Sequence, residues 1–261
     1  MSEERLSPIA CLEVLRKSLM IAGGTWLIAF FCLYGFSARF FFWLAAPLQK
    51  LLPQGSSLVF LSATEPFFTY LMLAAGAALV VALPVILWQA WTLIVSCQKR
   101  AGKALGLIFI MGSFASFLAG SYLGFRYVFP VIFSVLIHFG LDAGDIDAML
   151  SMGDYLSLAM KMMLAFGLVF ELPVLMIVLT RLGLTDSRWF ATKRKYMLIV
   201  AFVFGAVITP GPDVLSQSSI AIPFVILYEV GTLGARLTEK KQRSGEDAPP
   251  VDAPQPGEQT L

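Results

Sequence analysis

One carboxylate, Glu171, stands inside a long apolar run over residues 155–180, in the string Phe166-Gly167-Leu168-Val169-Phe170-Glu171-Leu172-Pro173-Val174. An acid at mid-membrane costs about 2.5–3.5 kcal/mol on insertion scales, so it faces a polar interior or a partner and defaults to a functional role. Pro173 removes a backbone donor two residues on, where a helix is expected to bend. Two further titratable groups lie in apolar surroundings: Lys161, nearly three helical turns before Glu171, and Glu229 in the last apolar run. Such groups could serve a proton- or ion-coupled secondary transporter. A protonated Glu171 hydrogen-bonded inside a helix bundle would instead be structural. No internal repeat of the kind many transporter folds carry is visible, which argues against the transporter.

Other chemistries lack their residues. His138 is the single histidine, so neither a multi-His metal site nor a Ser/His/Asp triad can be assembled. Cys11, Cys32 and Cys97 have no metal spacing and no even-numbered disulfide pattern, and read as incidental. No Gly-rich loop with its Lys is present to cradle phosphate. The chain therefore reads as a non-enzyme without cofactor or metal. Hydrophobic residues make up 58% and charged residues 14%, which places the chain in the membrane class. Its partners are then lipids and other proteins rather than nucleic acid.

The elements that must position these residues follow in order. Ser7 can cap a helix with Pro8 in its first turn, giving an amphipathic lead through Lys17. Span one covers residues 18–38, where Gly23-Gly24 allows close helix contact. It is too long for the 7–15-residue apolar core of a signal peptide and reads as retained. Residues 39–68, rich in aromatics and broken by Pro47, Pro53 and Pro66, suggest short helices at the membrane surface, with Pro47 and Pro66 as structural turns. Span two covers residues 67–96 and span three 104–139, with Arg126 snorkelling to an interface. Span four covers 155–180. The runs 196–208 and 214–233 are separated by Thr209-Pro210-Gly211-Pro212-Asp213, and form a re-entrant hairpin or two short spans. Asp213 there is a turn residue or a helix N-cap. Residues 237–261 are disordered by composition, leaving residues 1–17 as the lead and 18–236 as the membrane domain.

Basic residues fix an orientation. Segments 5–17, 99–103, 181–195 and 236–243 together hold fifteen Lys and Arg, against Arg39 and Lys50 on the other side. The positive-inside rule puts both termini in the cytoplasm with about six spans.

Several strings, taken in order, resemble one family. They include Leu15-Arg16-Lys17, Ala46-Pro47-Leu48, Leu52-Pro53-Gln54-Gly55, Glu65-Pro66-Phe67-Phe68 and Pro84-Val85-Ile86-Leu87. Further on stand Phe170-Glu171-Leu172-Pro173-Val174, Lys193-Arg194-Lys195-Tyr196, Thr209-Pro210, Pro212-Asp213-Val214, Ser216-Gln217, Ala221-Ile222-Pro223 and Tyr228-Glu229. Over about residues 9–236 the chain resembles TatC, the multi-span component of the twin-arginine protein translocase. The resemblance implies an all-α membrane protein of six helices in a curved, glove-like wall with two short final helices. It implies receipt of folded precursors with Arg-Arg signal peptides, assembly with TatA- and TatB-like single-span proteins and with further TatC copies, and transport driven by the proton-motive force. By the same resemblance Glu171 lies on the concave face, Thr209 and Gln217 dock partner helices, and Asp213 sits in the outer turn.

Two departures stand out. The family's pattern before span one is His-Leu-x-Glu-Leu-Arg, whose Glu helps bind the arginine pair. Here Cys11-Leu12-Glu13-Val14-Leu15-Arg16 puts Val14 in that place, with Glu13 one residue earlier and about 100° round the helix. A second recognition glutamate of the family falls on Gly102, in a loop carrying Lys99, Arg100 and Lys103 and no acid. Guanidinium binds best to carboxylates through bidentate, charge-assisted hydrogen bonds. The resemblance therefore implies a signal-binding site at Glu13, Val14, Leu15, Arg16 and Gly102 in which recognition is altered.

Overall fold

Long apolar runs become long helices because a buried backbone inside lipid must satisfy its own hydrogen bonds. The computed structural model describes residues 8–45, 57–98, 103–141, 149–209 and 213–246. In order these are α1 (Pro8–Tyr34), α2 (Ser37–Ala45), strand β1 (Ser57–Val59), α3 (Glu65–Gln98) and α4 (Lys103–Leu123). A single π-turn (Gly124–Val128) joins α4 to α5 (Phe129–Leu141), followed by strand β2 (Met149–Ser151), α6 (Met152–Arg181), α7 (Ser187–Thr192), α8 (Arg194–Ile208) and α9 (Val214–Glu246). Five helical stretches among the described residues are long and apolar enough to cross a membrane. The sixth, α8, has 15 residues, about 22 Å against a hydrocarbon core of about 30 Å.

The lead runs into span one as one unbroken helix, since nothing between Pro8 and Tyr34 interrupts the backbone ladder. The expectation for the last helix changes. α9 is not short: its apolar half runs on as a polar helix to Glu246, past the 236/237 boundary, because no Pro or Gly follows Gly234 before Arg243. Pro47 and the terminal 247–261 segment lie outside the described residues. Pro66 takes the second position of α3, where its missing N–H has no intrahelical partner to lose. Pro173 lies inside α6 without ending it. That helix closes at Gly183, whose φ of +70° completes a Schellman turn with Leu184 N–H donating to Leu179 O (3.0 Å).

α6 is the centre. It packs against α4 on one side and α9 on the other, while α1 lies along α3 and α8 along α9. Small residues set the approach distances, as lipid supplies no hydrophobic drive between helices. A Cβ on Gly120 would stand 2.6 Å from Phe166 O, and one on Gly167 would meet the Phe117 ring. Ser116 Oγ donates to Phe170 O (2.7 Å) and Ser121 Oγ to Met163 O (2.9 Å), stitching the same interface. The Gly23-Gly24 pair has no such role. Nothing lies within 4 Å of either position, because α1 turns that face outward and instead reaches α3 through Trp26 Nε1 donating to Ala75 O (3.1 Å).

The surface segment holds one of the expected short helices, α2, and also a strand. β1 pairs with β2 in parallel, Ser57 opposite Met149 and Val59 opposite Ser151. Glu65 fastens this corner: Oε1 accepts from Ser151 Oγ (2.7 Å) and Gly153 N (2.7 Å), and Oε2 from Leu61 N (2.7 Å). Ser151 in turn caps α6 by accepting from Asp154 N (3.0 Å).

Candidate functional site

The first candidate region opens at the start of α1. Glu13, Arg16, Lys17, Met20 and Ile21 line an open hollow of about 540 Å³. Their spacing of three and four places them on one helix face. Val14, half-buried and one position round, does not line the hollow. Leu15 is 37% exposed but also points elsewhere. The wall thus offers one carboxylate and two cations at its polar mouth, and apolar Met20 and Ile21 beyond them. Gly102 lies outside the described residues. Cys11, expected to be incidental, is disulfide-bonded; an odd cysteine count leaves room for one bridge.

The second region is the α4–α6 contact inside the membrane. Glu171 is half-buried there, with the Ser113 hydroxyl beside its carboxyl. Neither Ser113 Oγ nor Glu171 Oε1 completes a hydrogen bond of good geometry among the described residues. The carboxyl therefore holds spare hydrogen-bonding capacity at a depth where that capacity is expensive to leave unused.

The third region is the α8–α9 hairpin. Thr209 is buried at the end of α8, and its Oγ1 donates to Gly205 O (2.9 Å). Gly205 in turn accepts the backbone of Gln217 at close range, its Cβ position standing 3.0 Å from Gln217 O. The two residues expected to dock partners thus sit on the same hairpin, Thr209 closing α8 and Gln217 in the first turn of α9. Asp213 is the N-cap of α9, with Oδ2 accepting from Ser216 N (2.6 Å).

Burial pushes the Asp213 carboxyl up, but the Ser216 backbone hydrogen bond, with the Ser216 hydroxyl close by, outweighs it and holds the group below its ordinary value. A carboxyl held low in the fold adds stability above its unfolded value, about 3.9, and that stability is lost as pH falls through the folded value. Asp213→Ala is expected to lower stability by about 1 kcal/mol near neutral pH. In thermal unfolding of the detergent-solubilised chain, the gap from the parent should narrow below about pH 4.

Glu229, read as an intramembrane acid, is paired: Arg194 Nη2 donates to its Oε2 at 2.6 Å, with side chains 47% and 38% exposed. Arg194 opens α8, so Glu229 lies level with the basic end of the hairpin. A pair this exposed contributes about 0–1 kcal/mol. Lys193 and Lys195 both lie over the Tyr196 ring, at 5.3 and 5.1 Å. Tyr228 Oη donates to Phe190 O (2.7 Å), joining α9 to α7. Lys161 is exposed and joins none of these groups.

Glu65 is the residue that sequence reasoning passed over. Its signal was available, an acid immediately before a proline at the entry of an apolar run, but its partners at Ser151 and Gly153 lie nearly ninety positions away.

Comparison with known proteins places the whole arrangement. The family described as Sec-independent protein translocase protein (TatC) matches residues 10–223. A Sec-independent protein translocase protein TatC of Carboxydothermus hydrogenoformans is 36% identical, over 94% of this chain and 99% of the relative. The protein of the same description from Escherichia coli K12 is 34% identical over 95% of both. The crystal structure of a twin arginine translocase receptor, TatC, matches with a TM-score of 0.79 at 32% identity, covering 87% of this chain and 99% of that one. With five membrane-length helices, a short α8 and agreement in both sequence and fold over nearly its full length, the chain belongs to the TatC family of Sec-independent protein translocase components.

Proposed function

We propose that the chain is the multi-span receptor of a twin-arginine translocase in the bacterial cytoplasmic membrane, with both termini in the cytoplasm. It receives folded precursors, works with TatA- and TatB-like single-span proteins and further copies of itself, and moves cargo with the proton-motive force. The hollow at the start of α1 carries this reading. A carboxylate at a polar mouth, continued by Met20 and Ile21, suits a peptide whose arginine pair precedes an apolar run. Glu13 is the carboxylate that accepts a guanidinium there. Arg16 and Lys17 repel the pair, so recognition is weaker than two carboxylates would give. Thr209 and Gln217, on one hairpin, offer the partner helices a polar docking point, and the basic loops support the orientation.

The test is complementation. The chain, produced with its own TatA- and TatB-like partners in a strain lacking TatC, should export a folded reporter behind an Arg-Arg signal. Glu13→Gln should cut export at least about tenfold at unchanged protein level, in keeping with the loss of a charge-assisted hydrogen bond. Absence of export by the parent chain overturns the receptor reading. Full export by Glu13→Gln overturns the role given to Glu13.

A further inference from the structure

At the basic end of the α8–α9 hairpin the two helices leave a slot of about 270 Å³ between them. Arg194, Lys195 and Glu229 form its polar part, and Met197, Leu198 and Val225 its apolar part. Both helices change character in the same direction. Arg194 to Leu198 on α8 and Glu229 to Val225 on α9 are each about one turn, roughly 6 Å. A ligand that fits must be amphiphilic, with a polar group at this end and a chain running inward.

The charge at the mouth says which polar group. Arg188, Lys193, Arg194 and Lys195 fall within eight positions, and all four are exposed. The acids at this end are Asp186, Glu229 and Glu239. Glu229 is taken by Arg194 at 2.6 Å, and Glu239 accepts from Ser187 N (3.2 Å). None of them reaches Lys193 or Lys195, which form no ion pair or hydrogen bond among the described residues. The two ammonium groups instead lie 5.3 and 5.1 Å from the centre of one ring, that of Tyr196. Like charges gathered about a single ring repel each other, and an anion between them relieves the repulsion. Trp189 and Tyr196 are 52% and 51% exposed beside them, as aromatic rings at headgroup level are.

Cations, aromatic rings and an apolar slot follow one another along the helix axes. That order matches the phosphate, glycerol and acyl chain of a phospholipid. Inorganic phosphate would use only the first part, and a neutral zwitterionic lipid brings an ammonium that the lysines repel. We infer that the α8–α9 slot binds one anionic phospholipid, its phosphate held by Lys193 and Lys195 and an acyl chain lying along Leu198 and Val225. The site uses the hairpin's place in the membrane and does not rest on the receptor reading.

Native mass spectrometry of the full chain in detergent tests it, by titration with dioleoylphosphatidylglycerol or dioleoylphosphatidylcholine. The first phosphatidylglycerol should bind at least about tenfold tighter than the first phosphatidylcholine. Lys193→Gln with Lys195→Gln should erase that difference, while Lys193→Arg with Lys195→Arg should keep it, which a misfolded variant cannot do. Leu198→Trp fills the slot and leaves the cations, and should weaken phosphatidylglycerol at least about fivefold. Soluble glycerophosphoglycerol, the headgroup without chains, should not displace the lipid at equal concentration. Equal affinity for the two lipids overturns the inference, as does a preference that survives in the double Gln variant. Displacement by the soluble headgroup, or a Leu198→Trp protein that binds as the parent does, overturns the role of the slot and with it the lipid.

Discussion

Gly120→Leu should leave little folded protein in the membrane, whereas Gly112→Leu, two turns earlier on the same helix, should be nearly silent. The two glycines are chemically alike and differ only in what lies opposite. A Cβ at Gly120 would stand 2.6 Å from the Phe166 carbonyl oxygen and 2.7 Å from Phe170 Cβ, while nothing lies within 4 Å of one at Gly112. The Phe166 contact is backbone inside α6 and cannot swing aside as a side chain would. Relief requires α4 and α6 to separate, which also breaks the hydrogen bonds from Ser116 and Ser121. Overpacking usually costs about 1–3 kcal/mol, and a clash with backbone belongs at or above the top of that range. Each interhelical hydrogen bond adds about 0.6 kcal/mol. Losing the main contact of the central helix removes a large part of a marginal total. Size-exclusion profiles and unfolding midpoints of the two variants in detergent decide the matter. A well-folded Gly120→Leu protein would show that α4 and α6 are not held at this distance. Gly112→Leu should stay within about 0.5 kcal/mol of the parent, as exposed positions do.

Restoring both missing acids should produce the largest gain. Val14→Glu together with Gly102→Glu is expected to tighten binding of an Arg-Arg signal peptide by at least about tenfold. A hydrogen bond to a charged group contributes about 1.5–3 kcal/mol, and each 1.4 kcal/mol is a factor of ten. Val14 stands one position round α1 from the hollow, so a carboxylate there acts on Arg16 and Lys17 through charge, while one at Gly102 adds an acid to the loop of Lys99, Arg100 and Lys103. Bidentate geometry makes the gain selective, so a Lys-Lys peptide should improve less. Fluorescence anisotropy with both peptides against the parent and the double variant measures it. Equal affinities for parent and variant would show that these two positions do not limit recognition.

Much of the fold was legible because lipid allows so few solutions. Residues 155–180 could hardly be anything but a helix, and α6 spans them. Asp213 announced itself as a turn residue or cap by type and place, and it caps α9. The pieces that escaped depend on contacts between distant segments. β1 and β2 have three residues each, too few for any period to emerge, and are held by Glu65 across the chain. Gly23-Gly24 and Gly120 look equally suited to close packing, and only the facing helix separates them. Glu229 read as a lone acid because Arg194, its partner, is 35 positions away.

The π-turn has a consequence for register. Up to it, Ser113, Phe117, Gly120 and Gly124 keep a regular helical beat toward α6. Continued without change, that beat would fall on Val128 and Val131. The buried positions are instead Phe129, Ile132 and Phe133, while Val131 is half out. The Phe129 N–H bonds Gly124 O, one residue wider than an α-helical bond. A single surplus residue is thus looped into the backbone and re-indexes every side chain after it by about 100°. Phe129 and Phe133 thereby stack edge-on with Tyr155 at the far end of α6. Deleting one residue between 124 and 128 would bring Phe129 and Ile132 onto the uninterrupted beat and keep the aromatic cluster on Tyr155 in a straight α-helix. The two halves of one span thus read the same neighbour in two different frames only because of the surplus residue.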